Sequence, residues 1–156
     1  MTTQSGKRGG GDDESEVPLL ALLALAKDIT TDLLHRQLGQ EGFGGIRYRH
    51  GSVFRFIDAE GSRLTALAER SGLTKQALGE VVDELERLGY VERTADPADR
   101  RAKIIRLTER GEQGQVAAAR ILGDAERRWE RHLGRDRIAM LRQTLEQVIA
   151  LQSDGG

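Results

Sequence analysis

The residues in this chain best placed to do chemistry begin at Thr74. Lys75, Gln76, Gly79 and Glu80 follow, set among Leu78, Val81, Val82 and Leu85, whose spacing is helical. With that apolar side buried, Lys75, Gln76, Gly79, Glu80 and Asp83 face outward. Lysine donates to guanine, glutamine pairs bidentately with adenine and glutamate accepts from cytosine N4. A helix in a major groove reads bases mainly with its N-terminal residues. Thr74 stands at the helix start, where a hydroxyl and free backbone N–H groups meet a phosphate. The same pattern also fits an ordinary solvated helix face. The acidic run Asp83, Glu84 and Glu86 belongs to the half of the helix that must tilt away from a polyanion.

A second cluster follows. Residues 93–106 hold Arg93, Arg100, Arg101, Lys103 and Arg106 against Asp96 and Asp99, a local excess of three positive charges. Arginine at a hairpin tip suits a narrow minor groove, where negative potential is strongest. Asp99 beside Arg100 and Arg101 fits a carboxylate that fixes one guanidinium in position, and the alternative is a charged turn that maintains solubility. A third group, Arg47, Tyr48, Arg49 and His50, could hold a carboxylate or phenolate at a helix start. Trp129 could wall such a pocket. In the structural alternative, Arg47 and Arg49 pair with acids such as Asp28 or Asp32, His50 packs structurally and Trp129 is core.

Other chemistries find little support. His35, His50 and His132 lack metal-ligand spacing. There is no phosphate-binding glycine loop and no nucleophile motif. No cysteine is present, which excludes disulfides, thiolate zinc sites and thiol redox sensing. The chain is therefore not expected to be an enzyme or to carry a metal or cofactor.

These clusters need elements to position them. Pro18 and the apolar positions Leu19, Leu22, Leu23, Ala26, Ile29, Leu33 and Leu34 mark a first helix, ended by Glu41-Gly42-Phe43-Gly44-Gly45. Leu20 and Leu25 widen its face, which suggests burial on two sides, one of them against a second chain. Residues 46–57 read as a shorter helix. Ser62 is a plausible N-cap for a helix carrying Leu64, Leu67 and Ala68, and Ser71-Gly72 forms the turn before the helix that Thr74 caps. Two short helices about a glycine turn make a helix-turn-helix. After Gly89, Tyr90–Thr94 and Lys103–Leu107 alternate as two strands of a hairpin, giving a winged arrangement. Thr108 caps a long helix to about Leu133, with Val116, Ala119, Ile121, Leu122, Ala125 and Trp129 on its apolar side. Gly134 breaks it, and a last helix carries a seam of Ile138, Leu141, Leu145, Val148 and Gln152.

Length and charge set the frame. The 156 residues fit one domain, or one domain with an extension. Lys+Arg 24 against Asp+Glu 25 gives net charge -1, which excludes a polycationic coat but not a local basic patch. Residues 1–16 read as a disordered tail without the layout of a secretory signal. Val17–Ala26, the longest apolar run, is too short to span a bilayer, so a cytoplasmic location and no membrane partner are expected.

Four segments together resemble the MarR (multiple antibiotic resistance regulator) family of winged helix-turn-helix transcription regulators. They are Leu-Thr-Lys-Gln-Ala-Leu (73–78), Leu-Glu-Arg-Leu-Gly-Tyr-Val-Glu-Arg (85–93), Asp-Pro-Ala-Asp-Arg-Arg (96–101) and Leu-Thr-Glu-Arg-Gly (107–111). The resemblance covers about 17–152. It implies a mainly α fold with a two-stranded β-hairpin wing, dimerisation helices over 17–40 and 112–152, and a DNA-binding lobe over 46–111. It further implies a homodimeric repressor on a pseudo-palindromic double-stranded DNA site, released by a small, aromatic or anionic effector. The family's Asp-x-Arg wing pattern falls on Asp99 and Arg101, making Arg101 the minor-groove arginine. Gly79 and Glu80 depart from the family's usual basic or hydroxylic residues. The alternative is a winged-helix protein-interaction module, for which Glu80, Asp83 and Glu84 are the best support.

Overall fold

The computed structural model describes residues 17–153. The tail expected over 1–16 and the C-terminal Gly155-Gly156 lie outside the described residues, as does the side chain of Gln152. Helix α1 (Leu19–Gln40) starts as expected at Pro18, whose carbonyl accepts from the N–H groups of Ala21 and Leu22. It stops at Glu41, ahead of Gly42 at φ 90°. Residues 46–57 do not form one helix: a 3-10 turn (Tyr48–His50) leads into α2 (Gly51–Phe56), which buries Val53.

The helix-turn-helix is present. Helix α3 (Leu64–Ser71) ends at Gly72, whose φ of 69° lies where a β-carbon is disfavoured. Helix α4 (Lys75–Arg87) then begins at Thr74, whose hydroxyl oxygen accepts from the Ala77 N–H at 3.2 Å. Its buried side is Leu78, Val81, Val82 and Leu85, as the spacing requires.

The wing has one strand more than its sequence pattern suggests. Strands β2 (Val91–Ala95) and β3 (Lys103–Leu107) pair antiparallel with Val91 opposite Leu107 and Ala95 opposite Lys103. A two-residue strand β1 (Ser62–Arg63) adds to the other edge of β3, with Ser62 opposite Ile105. Two residues carry too little alternation to be read as a strand. Ser62 therefore does not cap α3, whose N-cap is Arg63 without a side-chain bond. Its hydroxyl closes the preceding turn instead, donating to Asp58 Oδ2 at 2.7 Å and accepting from the Asp58 N–H at 3.0 Å.

Helix α5 (Glu109–Leu133) is capped by Thr108, which accepts from the Gly111 N–H at 3.1 Å. Its buried line is Gly111, Gly114, Ala117, Ile121 and Ala125. The expected apolar side was displaced: Val116, Ala119, Leu122 and Trp129 are exposed. The physical reason is close approach. A β-carbon at Gly111 would overlap the Tyr90 carbonyl oxygen, and one at Gly114 would meet the Phe43 ring at 3.4 Å, so the contact face takes small residues. Helix α6 (Arg135–Ser153) buries Ile138 alone among the described residues.

Two clusters hold these elements together. The larger joins Val53, Leu67, Leu78, Val82, Leu85, Tyr90, Val91 and Ile105; the smaller joins Leu38 of α1 to Ala117 and Ile121 of α5. Phe43 and Ile46 pack against both and so link the lobe to the long helices. Truncating a fully buried leucine such as Leu78 costs about 2–5 kcal/mol. By contrast the N-terminal half of α1 leaves Leu19, Leu20, Leu25 and Ile29 open, with Leu20 78% exposed.

Candidate nucleic-acid interface and ligand cleft

Helix α4 exposes Lys75, Gln76 and Glu80 to solvent, with Gly79 half-buried between them. Among the described residues none of these three side chains makes a hydrogen bond or ion pair. Thr74 uses its oxygen as an acceptor for the cap, so its O–H proton stays available to donate. The first turn of α4 thus combines free backbone N–H groups, a hydroxyl donor and three unengaged polar side chains.

The acidic half of the same helix is different, because each carboxylate has a cationic partner. Arg93 of β2 bonds Asp83 Oδ1 at 2.6 Å and also grips Glu86. Glu84 accepts from His50 at 2.8 Å and pairs with Arg49. The His50 hydrogen bond, reinforced by the Arg49 charge, holds the Glu84 carboxyl below its ordinary range. Arg93 is thereby withdrawn from the free charge of the wing.

At the wing tip, Asp96 is buried and anchors the turn. It accepts from the Ala98 N–H at 2.8 Å and from Arg63 of β1 at 2.7 Å, and these bonds lower its pKa, the backbone bond most. Asp99 accepts the backbone N–H of Arg101 at 3.1 Å. It therefore shapes the turn, rather than clamping a guanidinium as its position beside Arg100 and Arg101 suggests. Arg100, Arg101 and Lys103 are exposed, and among the described residues their side chains have no partner. Arg63 was not anticipated as the wing's anchor; its partner lies 33 residues away, across a sheet edge with no sequence signature.

Between α1, the 3-10 turn, α2 and α5 lies a cleft of about 430 Å³. Its wall is apolar, with Leu34, Leu38, Ile46, Phe54 and Leu122, and its polar groups are Thr30, Thr31, His35, Arg47, Tyr48, Arg55 and Gln115. Among the described residues no carboxylate lines it. Burial lowers the pKa of His35, which favours the neutral imidazole. Arg47 and Tyr48 reach the cleft as the sequence suggested. Arg49 and His50 do not line it, since both turn to Glu84. Trp129 lies elsewhere, in a 200 Å³ cavity between α5 and α6 with Ile138, Leu141 and Leu145. Thr30, Thr31, His35, Arg55 and Gln115 share no sequence signal as a group, because they come from three helices far apart in sequence.

This arrangement defines a winged helix-turn-helix protein with long helices on either side of the lobe. A family model described as MarR family matches residues 45–102. Over 75 residues the chain is 40% identical to the transcriptional regulator HosA of Escherichia coli O111:H-, a match covering 47% of this chain. The matched stretch spans 55% of that relative's length. Two solved structures extend the likeness. A MarR-family transcriptional regulator from Rhodococcus sp. RHA1 is 29% identical, with a TM-score of 0.61, covering 81% of this chain and 89% of that one. CouR from Rhodococcus jostii RHA1, solved bound to p-coumaroyl-CoA, is 30% identical with a TM-score of 0.60, covering 81% and 88%. The chain belongs to the MarR family of transcriptional regulators.

Proposed function

We propose that the chain is a homodimeric, sequence-specific DNA-binding regulator, acting in the cytoplasm as a repressor that a small anionic ligand releases. The carrying observation is the division of charge along α4 and the wing. Lys75, Gln76, Glu80, Arg100, Arg101 and Lys103 are exposed and unengaged, whereas Asp83, Glu84 and Glu86 each hold a cation. Readers are left free and repulsive carboxylates are neutralised. The same pairing weakens the reading as a protein-interaction module, since of its acidic supports only Glu80 remains unpaired.

In this reading, residues 46–111 form the DNA-binding lobe and 17–40 and 112–152 the dimerisation helices. Thr74 and the N–H groups of the first α4 turn take a phosphate; Lys75, Gln76, Gly79 and Glu80 face base edges; Asp99 sets the tip from which Arg100, Arg101 and Lys103 reach the minor groove. The effector would occupy the 430 Å³ cleft, its apolar body against Leu34, Leu38 and Phe54 and its anionic group toward Arg47 or Arg55. The relative CouR, solved with p-coumaroyl-CoA, supports a ligand of this kind. Its leverage on DNA affinity equals its differential affinity for the two lobe settings.

Salt titration of duplex binding tests the assignment. Arg101→Ala should weaken binding across sequences and reduce the log–log salt slope by about 1. An unchanged slope removes the minor-groove role, and no salt-dependent duplex binding by the unaltered chain removes the function.

A further inference from the structure

The turn that carries Arg47–His50 separates two cavities. On one side is the large cleft, which Arg47, Tyr48 and Gly51 help to line. On the other, a 230 Å³ cavity lies between the turn and the C-terminal half of α4, bounded by Gly45, Arg47, His50, Glu84, Arg87 and Leu88. This cavity is open to solvent, so the turn is not packed tightly on its helix-facing side.

A polar relay crosses that space. The Arg47 backbone N–H donates to His50 Nδ1 at 3.0 Å. Because Nδ1 accepts, Nε2 carries the ring proton, and it donates to Glu84 Oε2 at 2.8 Å. Arg49 reaches the other carboxylate oxygen. His50 is 1% exposed, so breaking its bond to Glu84 would strand a buried ring N–H, a penalty larger than the worth of the bond itself. A displacement of the turn that keeps this bond carries the Glu84 end of α4 with it.

We infer that Glu84 is the positioning residue through which an occupant of the cleft resets α4, with His50 and Arg49 as its two ties to the cleft wall. The inference rests on the proposed reading of α4 as the DNA-contacting helix and of the cleft as the effector site. It assigns Glu84 to regulation rather than to DNA contact.

The absence of cysteine from the chain permits a test with an occupant of known position. Ala119 is exposed and lines the cleft. Ala119→Cys is labelled with N-phenylmaleimide, and affinity for a duplex enriched from a random pool is measured with and without the label. The comparison is repeated in Glu84→Ala and in Arg49→Met, the latter an exposed substitution that carries the test should Glu84→Ala fail to fold. With Glu84 present, the label should weaken binding about tenfold, within the usual range of allosteric coupling. The label's effect should fall toward unity in Glu84→Ala and to an intermediate value in Arg49→Met. An equal label effect in all three backgrounds overturns the role of Glu84, and so does a label without effect when Glu84 is present. If unlabelled Ala119→Cys protein enriches no duplex, the DNA-binding reading itself fails and this inference falls with it.

Discussion

Single residues in this molecule explain why certain sequence segments hold together. The stretch Leu-Thr-Glu-Arg-Gly at 107–111 works as one joint. Thr108 donates to the Gly89 carbonyl at 2.6 Å while capping α5, and Gly111 lets the first turn of α5 lie against the Tyr90 carbonyl. Tyr90 is fully buried, its hydroxyl donating to Gly44 O at 2.8 Å. We expect Gly111→Ala to destabilise by about 1–3 kcal/mol through overpacking, read as a lower urea midpoint at unchanged m-value. An unchanged midpoint would mean that the joint is slack. At this scale the sequence was readable where side chains are exposed and unpaired, as at Lys75, Gln76 and Arg101. It was unreadable where a charge is already engaged. Nothing near Arg93 or Arg49 announces that each is committed to α4, because ion-pair partners are chosen by tertiary approach rather than by spacing.

Among the elements, the helices were legible from periodicity and caps: Thr74, Gly72, Thr108 and Gly134 end or start their helices as expected. Three departures share one cause, namely that packing overrode a local signal. The two-residue β1 is held by the edge of β3, residues 46–57 split into a 3-10 turn and a short helix, and α5 turns its glycines inward instead of its largest apolar residues. The segment before β1 is also fixed electrostatically. Arg70 of α3 grips Asp58 through both carboxylate oxygens, at 2.9 and 2.8 Å, and holds its pKa at about 2 against the ordinary 3.8. A depressed carboxylate pKa contributes stability that is present above pH 3.8 and is lost as pH falls through about 2. Asp58→Asn should therefore be less stable than the unaltered chain at neutral pH. In acid titrations followed by urea unfolding, the difference should disappear as pH approaches 2. A difference independent of pH would assign the effect to packing.

For the molecule as a whole, what the single chain leaves unburied is informative. Leu19, Leu20, Leu25 and Ile29 on α1 and Met140, Ile149 and Leu151 on α6 are all more than half exposed. An apolar surface of this kind on two helices is expected to be covered, and the proposed occupant is a second copy of the chain. Sedimentation should then give twice the chain mass, and thermal unfolding should shift to higher temperature as protein concentration rises. A monomer at all concentrations would remove the dimer. Global charge was the least informative quantity: a balance of -1 conceals an α4 whose Asp83, Glu84 and Glu86 are each paired with a cation and a wing tip whose Arg100 and Arg101 have no partner among the described residues.

In the proposed function two such lobes read DNA together, and selection of duplexes from a random pool tests this most directly. The selection should enrich a pseudo-palindrome with half-sites about one helical turn, or about 34 Å, apart. Repeating the selection with Gln76→Ala should relax one position in each half-site, a loss of about 1–3 kcal/mol of discrimination. Enrichment of no sequence above the starting pool, at a salt concentration where duplex is still retained, would contradict it.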